Sequence, residues 1–128
     1  MSQNNSVSYQ MDEILTTYTN EVNRVMEQTI EEEAKDTVKE LKSSSPVRAR
    51  GTKKGAYARS WKVTKRGDTY IVHNAKHYRL THLLENGHVV RNAKGTYGRA
   101  KPIKHIEPAL NEAEARLPIK LESRIEKL

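Results

Sequence analysis

An apolar residue recurs at every third or fourth position for thirty residues near the start of this chain, and that limits what it can fold into. Met11, Leu15, Tyr18, Val22, Val25/Met26, Thr29/Ile30, Ala34, Val38 and Leu41 carry the pattern. Steps of three and four are the period of an α-helix, so one long N-terminal helix is expected. Asp12 and Glu13 suit its start and Lys39 and Lys42 its end, because the helix dipole favours acids and bases there respectively. At 1.5 Å per residue the stripe runs for roughly 45 Å. That is long for a chain of 128 residues. Either the whole stripe lies across its own sheet, or part of it packs on another subunit.

The helix has a clear stop. Ser43-Ser44-Ser45-Pro46 favours a turn, since the residue before proline is pushed out of the helical region. Val47–Gly55 follows with Arg48, Arg50, Lys53 and Lys54, two glycines and little that is apolar, so 43–55 is expected as a loop. Tyr57–Val63 then alternates, with Tyr57, Arg59, Trp61 and Val63 on one side. Arg66-Gly67-Asp68 signals a turn and Thr69–His73 is rich in β-formers, so the stretch is expected as a hairpin. Trp61, the one Trp in a chain without Phe, is the expected centre of the core.

Beyond the hairpin, Tyr78, Leu80, Leu83 and Leu84 predict a short helix near 79–86, stopped by Asn86-Gly87. A second glycine-containing basic loop is expected over 91–104, after a short strand at His88–Val90. Ile106, Leu110, Ala113, Leu117, Leu121, Ile125 and Leu128 give a C-terminal helix, with Pro108 suited to its first turn. Pro118 falls inside the pattern and should kink or divide it. The expected fold class is α+β: a long N-terminal helix and a kinked C-terminal helix packed on a small antiparallel sheet. Residues 1–128 are expected to form a single domain, with 1–9 as a flexible tail.

Charge narrows the partners. Residues 1–45 hold nine acids and four bases, whereas 46–105 hold fifteen bases and only Asp68 and Glu85 as acids. The overall +7 therefore conceals an acidic–basic–acidic layout. Such a layout suits nucleic acid beside the middle segment, or copies docking by opposite charge. There is no Cys, which excludes disulfides, thiolate metal sites and a Cys nucleophile. No signal-like apolar run opens the chain and no stretch approaches the roughly 20 apolar residues of a membrane span. A soluble protein made in a cytoplasm is expected.

Catalytic signals are weak. His82-Leu83-Leu84-Glu85 begins like a zinc-binding H-x-x-E-H helix, but the fifth residue is Asn86. No serine sits in a glycine elbow, and the six glycines are scattered rather than grouped as a phosphate loop. The residues read as non-enzymatic, with no catalytic residue, no metal and no cofactor. The strongest chemical signal is the basic set Arg48, Arg50, Lys53, Lys54, Arg91, Lys94, Arg99, Lys101 and Lys104. These side chains suit phosphates read without sequence, or an acidic partner.

Tyr78-Arg79-Leu80-Thr81-His82-Leu83-Leu84-Glu85-Asn86-Gly87-His88, a glycine-containing loop, and His105-Ile106-Glu107-Pro108-Ala109-Leu110 together resemble the head–tail joining family of tailed phages. Members are also described as tail-completion or neck proteins. The motif residues are Trp61, Tyr78, Leu83, Leu84, Glu85, Gly87, His88 and Pro108, and the order of elements over roughly residues 10–115 agrees. One departure is the longer, more basic Val47–Lys54, where the family often has Thr-Gly soon after the Ser-Pro. The resemblance implies a small α+β virion protein without catalytic residues. It implies a homo-oligomeric ring, of six copies by analogy with tail symmetry or twelve as the alternative. A head-closure or connector protein would stand on one side and a tail tube or terminator protein on the other. DNA would pass through, and no membrane is involved. The alternative readings are a free non-specific nucleic-acid-binding protein, or a tail terminator within the same virion.

Overall fold

The structure, a computed structural model, describes residues 7–47, 54–92 and 95–128. Its elements in chain order are α1 (Val7–Ser44), α2 (Ala56–Arg59), β1 (Trp61–Arg66), β2 (Thr69–Asn74), α3 (Leu80–Asn86), β3 (His88–Asn92), β4 (Gly95–Ala100) and α4 (Ile106–Glu126). The fold is α+β, with the long N-terminal helix, the C-terminal helix and small antiparallel pairing that the sequence leads one to expect. The strands form two separate two-stranded units, β1–β2 and β3–β4.

α1 spans 38 residues, about 57 Å of helix. Its described span begins at Val7, so Val7–Tyr9 of the expected tail are helical, and residues 1–6 lie outside the described residues. Its C-terminal part supplies the core. Val38 and Leu41 meet Tyr57, Trp61 and Ala109, and Val63, Val72, Leu84 and Ile106 close in around them. Among the described residues this cluster of five buried apolar side chains is a small core, and polar bonds reinforce it. The Trp61 indole N–H donates to Ser45 Oγ at 2.8 Å, while the Ser45 hydroxyl donates to the Leu41 carbonyl. The serine that stops α1 thus also fixes the Trp.

α1 and α4 run antiparallel and are joined by charge. Glu33, only 3% exposed, accepts from Arg116 Nε at 2.9 Å and from Lys120 Nζ at 2.7 Å. Burial pushes the Glu33 carboxyl up, but Lys120 and Arg116 more than offset this and hold it below its ordinary value. One turn further along α4, Arg124 pairs with Glu32 at 2.6 Å and donates to Thr29 Oγ1 at 3.1 Å. The spacing 116, 120, 124 puts all three bases on one helix face, and α1 meets it with acids.

Two segments differ from expectation. Tyr57–Val63 does not form one strand: Ala56–Arg59 make a helical turn and the strand starts at Trp61. A spacing of four places Tyr57 and Trp61 on the same side in a strand and in a helix, so alternation could not separate the two. The turn is held by Ser60 Oγ donating to Ala56 O and by Asn74 Nδ2 donating to Tyr57 O. The stretch 91–104 also holds more structure than a loop. Gly95–Ala100 is a strand, paired with β3 in the register His88↔Ala100 and Val89↔Arg99. Gly95 and Gly98 have φ of 138° and 104°, which side-chain-bearing residues rarely adopt, and the register shifts between Val89 and Arg91. α4 runs through Pro118 as one helix and is not divided. The cost is the one backbone hydrogen bond that the proline N cannot donate.

Candidate functional site

The first four backbone N–H groups of a helix find no acceptor inside it. In α4 these belong to His105, Ile106, Glu107 and position 108. Glu85 Oε1 accepts from His105 N and Ile106 N, each at 2.9 Å, and Glu85 Oε2 accepts from Glu107 N at 3.0 Å. Position 108 is Pro, which has no N–H to satisfy. One carboxylate twenty residues upstream and one proline therefore account for the whole helix start. Burial raises the Glu85 carboxyl, and the three backbone donors outweigh it, leaving the group below its ordinary value.

The same corner holds a buried side-chain chain. His105 is 1% exposed, and its Nδ1 faces Ile103 O at 2.8 Å and Glu85 Oε1 at 3.0 Å. Two acceptors face Nδ1, and Nε2 lies 2.7 Å from the Tyr57 hydroxyl; with the ring neutral and its proton on Nδ1, Nε2 accepts from that hydroxyl. Burial, with help from the Glu85 charge, pushes the Tyr57 phenol up to about 12. Tyr57, Trp61 and His105 stack edge to face around this point, with centroids 5.6 to 6.4 Å apart. A Glu–His–Tyr relay can move protons in principle. Here every polar atom named is occupied by a neighbour of the same chain, so the relay ties α2, α3 and α4 into one body.

Gly87 completes the corner. Its φ is 75°, and a Cβ there would stand 2.5 Å from Ala100 O and 3.2 Å from Pro102. Only glycine ends α3 and lets the β4 exit pass so close. Leu84, Glu85, Gly87, Pro108 and Ala109 of the motif stretches thus each have a physical task. Leu84 packs on the core, Glu85 caps α4, Gly87 turns the chain and His88 opens β3 opposite Ala100. Pro108 removes the last donor, and Ala109, 1% exposed, lets α4 approach. Tyr78 and Leu83 are exposed and stand outside this corner.

The basic residues are distributed otherwise. Arg99 Nη2 reaches Asn86 O at 3.4 Å and Lys104 Nζ reaches Asn86 Oδ1 at 3.2 Å, so both gather at the end of α3. Lys104 also stands 3.9 Å from Glu107, and Lys101 is exposed. Lys54 lies apart, exposed before α2, with its carbonyl accepting from Arg59. Arg91 stands on β3 opposite Thr96. Arg48, Arg50, Lys53 and Lys94 lie outside the described residues. Among the described residues no three His, Asp or Glu side chains gather as a metal site, and none of the helices is long and apolar enough to cross a membrane. His82 is exposed while Glu85 is turned inward to α4, so the H-x-x-E resemblance to a zinc helix ends at the sequence.

Sequence reasoning did not anticipate the tasks of Glu85, Glu33 and Ser45. For Glu85 there was a signal: it is one of two acids in sixty residues that carry fifteen bases. Glu33 had a weaker one, standing one turn after Thr29 and so on the same helix face as the stripe positions Thr29/Ile30.

Comparison with known proteins gives the class: residues 10–87 match the HK97-gp10-like family model, described as "Bacteriophage HK97-gp10, putative tail-component". The match covers more than half of the chain, and the chain belongs to this family of phage tail components, structural proteins of the virion. No curated protein and no solved structure matches it.

Proposed function

We propose that this protein is a ring subunit at the head–tail interface, joining the connector to the tail tube around the DNA channel. The observation that carries the reading is the family match over residues 10–87, which takes in α1 from residue 10 onward, the β1–β2 hairpin and Leu84-Glu85-Asn86-Gly87. The ring is homo-oligomeric, of six copies or, alternatively, twelve. A head-closure or connector protein lies on one side and a tail tube or terminator protein on the other. The cations around Asn86 face the channel or an acidic neighbour. Contacts with passing DNA are to phosphates only, since a firm grip would stall ejection.

The test is genetic and structural. Phage lacking this gene should accumulate filled heads and separate tails, and the wild-type chain supplied in trans should join them. Joined, infectious particles in its absence would sink the reading, as would labelling of the chain at the distal end of the tail. A rival role as a free nucleic-acid binder predicts binding to any duplex that falls steeply with salt and is lost when Arg99, Lys101 and Lys104 are neutralised.

A further inference from the structure

The N-terminal portion of α1 extends beyond the body. Every residue from Val7 to Glu21 is exposed, whereas Val22 and Val25 are half-covered and Thr29 is buried. This arm keeps the apolar stripe: Val7, Met11, Ile14, Leu15 and Tyr18 fall on one face, and Ile14 is 67% exposed. Its charged residues are Asp12, Glu13 and Glu21, with no base among them. A lone polar spar has no need of such a stripe. An apolar face with acids beside it is the pattern of a helix that lies in a groove.

A groove of matching character lies at the opposite end of the same helix. Pro46, Val47, Ala56, Tyr57, Leu80 and Leu84 line an apolar hollow of about 590 Å³. Val47 and Leu80 are exposed within it. Lys54, Lys76 and Arg79 are exposed beside lining residues, and Asp68, at the β1–β2 turn, is the one acid in the sequence from 46 to 84. The arm cannot fill the groove of its own chain. From Leu15 to Ser44 the backbone is unbroken helix, about 44 Å long, so the two features are held apart. Two arms with three acids and no base each repel, which disfavours arm against arm.

We propose that the α1 arm of one copy docks in the Val47–Leu80 groove of the next copy, with Met11, Ile14, Leu15 and Tyr18 as anchors and Asp12 and Glu21, on the two flanks of that stripe, facing Lys54, Lys76 and Arg79. The contact is heterologous, one surface meeting a different one, so repetition closes a ring or runs on as a filament. This names the subunit interface of the ring proposed above and rests on that reading.

The absence of Cys makes a direct test available. Leu15→Cys and Leu80→Cys chains are purified separately, mixed and mildly oxidised. The expected result is a cross-link in the mixture and in the double variant, and none in either single variant alone. Efficient cross-linking of Leu15→Cys by itself overturns the proposal in favour of paired arms, and no cross-link in the mixture overturns it outright. Ile14→Asp with Leu15→Asp, judged by sedimentation at several concentrations, should weaken self-association at least about tenfold while the thermal midpoint of the monomer is unchanged. Oligomers unaffected by that pair of changes also overturn it. If those oligomers persist and phage with the altered arm still join heads to tails, the ring reading survives and the arm-in-groove contact falls. Separated heads and tails together with a normal cross-link would support both.

Discussion

The arm of α1 and the Glu85 corner are built from the same materials, helices and carboxylates, and they use them in opposite ways. At the corner, one carboxylate accepts three backbone N–H bonds within the chain and a proline removes the fourth donor. Along the arm, three carboxylates and an apolar stripe are presented to solvent. The corner spends its polar groups on holding one copy together. The arm leaves its own in solvent. An identical helical period in the sequence therefore announces a helix without saying whose surface will cover it.

The sharpest way to break this contrast is Glu85→Ala. It strands three buried donors, so a loss of roughly 3–5 kcal/mol is expected in denaturant unfolding of the monomer. Glu85→Gln should cost about half, since an amide oxygen still accepts but without the charge. A loss under about 1 kcal/mol for Glu85→Ala would mean the corner is no more committed than the arm. Next in size is Glu33→Ala, which leaves Arg116 and Lys120 without their shared acceptor. Both bases keep about a third of their side chains in water, so roughly 1–3 kcal/mol is expected.

Acid should act on the same two carboxylates. Both have folded values below the ordinary 4.5, so the unfolded chain takes up protons first as pH falls. Their contribution is complete above about pH 4.5 and is lost as pH drops below it through the folded values. Unfolding curves across this range should show stability falling with acid, and Glu85→Gln should flatten the slope without abolishing it. Ser45→Ala removes the acceptor of the Trp61 N–H and should cost about 1 kcal/mol. Smallest of all, Leu15→Ser in the arm should change monomer stability by less than about 0.5 kcal/mol. Should Leu15→Ser cost as much as Ser45→Ala, the arm is not free of the body.

Much of the architecture is legible in the residues because period and punctuation are local properties. The stripe from Met11 to Leu41, the Arg66-Gly67-Asp68 turn and the Ser-Pro stop all declare themselves within a few positions, and α1, the β1–β2 hairpin and the end of α1 follow. α2 was hidden because Tyr57 and Trp61 share a side at a spacing of four in either conformation. β4 was hidden because glycines and bases are typical of loops, and its pairing with β3 is visible only once the partner is in place. The candidate site divides the same way. Trp61 stands out by composition, whereas Glu85 reaches its donors across twenty residues and no local rule links them.

The pairing of Glu33 with Arg116 and Lys120 joins positions 83 and 87 residues apart. On a ribosome adding roughly 5–20 residues per second, α1 emerges about 4–17 s before the bases that neutralise its buried acid. During that interval the segment holds a charge it cannot bury and an apolar face it cannot cover. A chain interrupted before Arg116 lacks both bases that pair with Glu33. The bond that closes α1 onto α4 is thus among the last that synthesis makes possible.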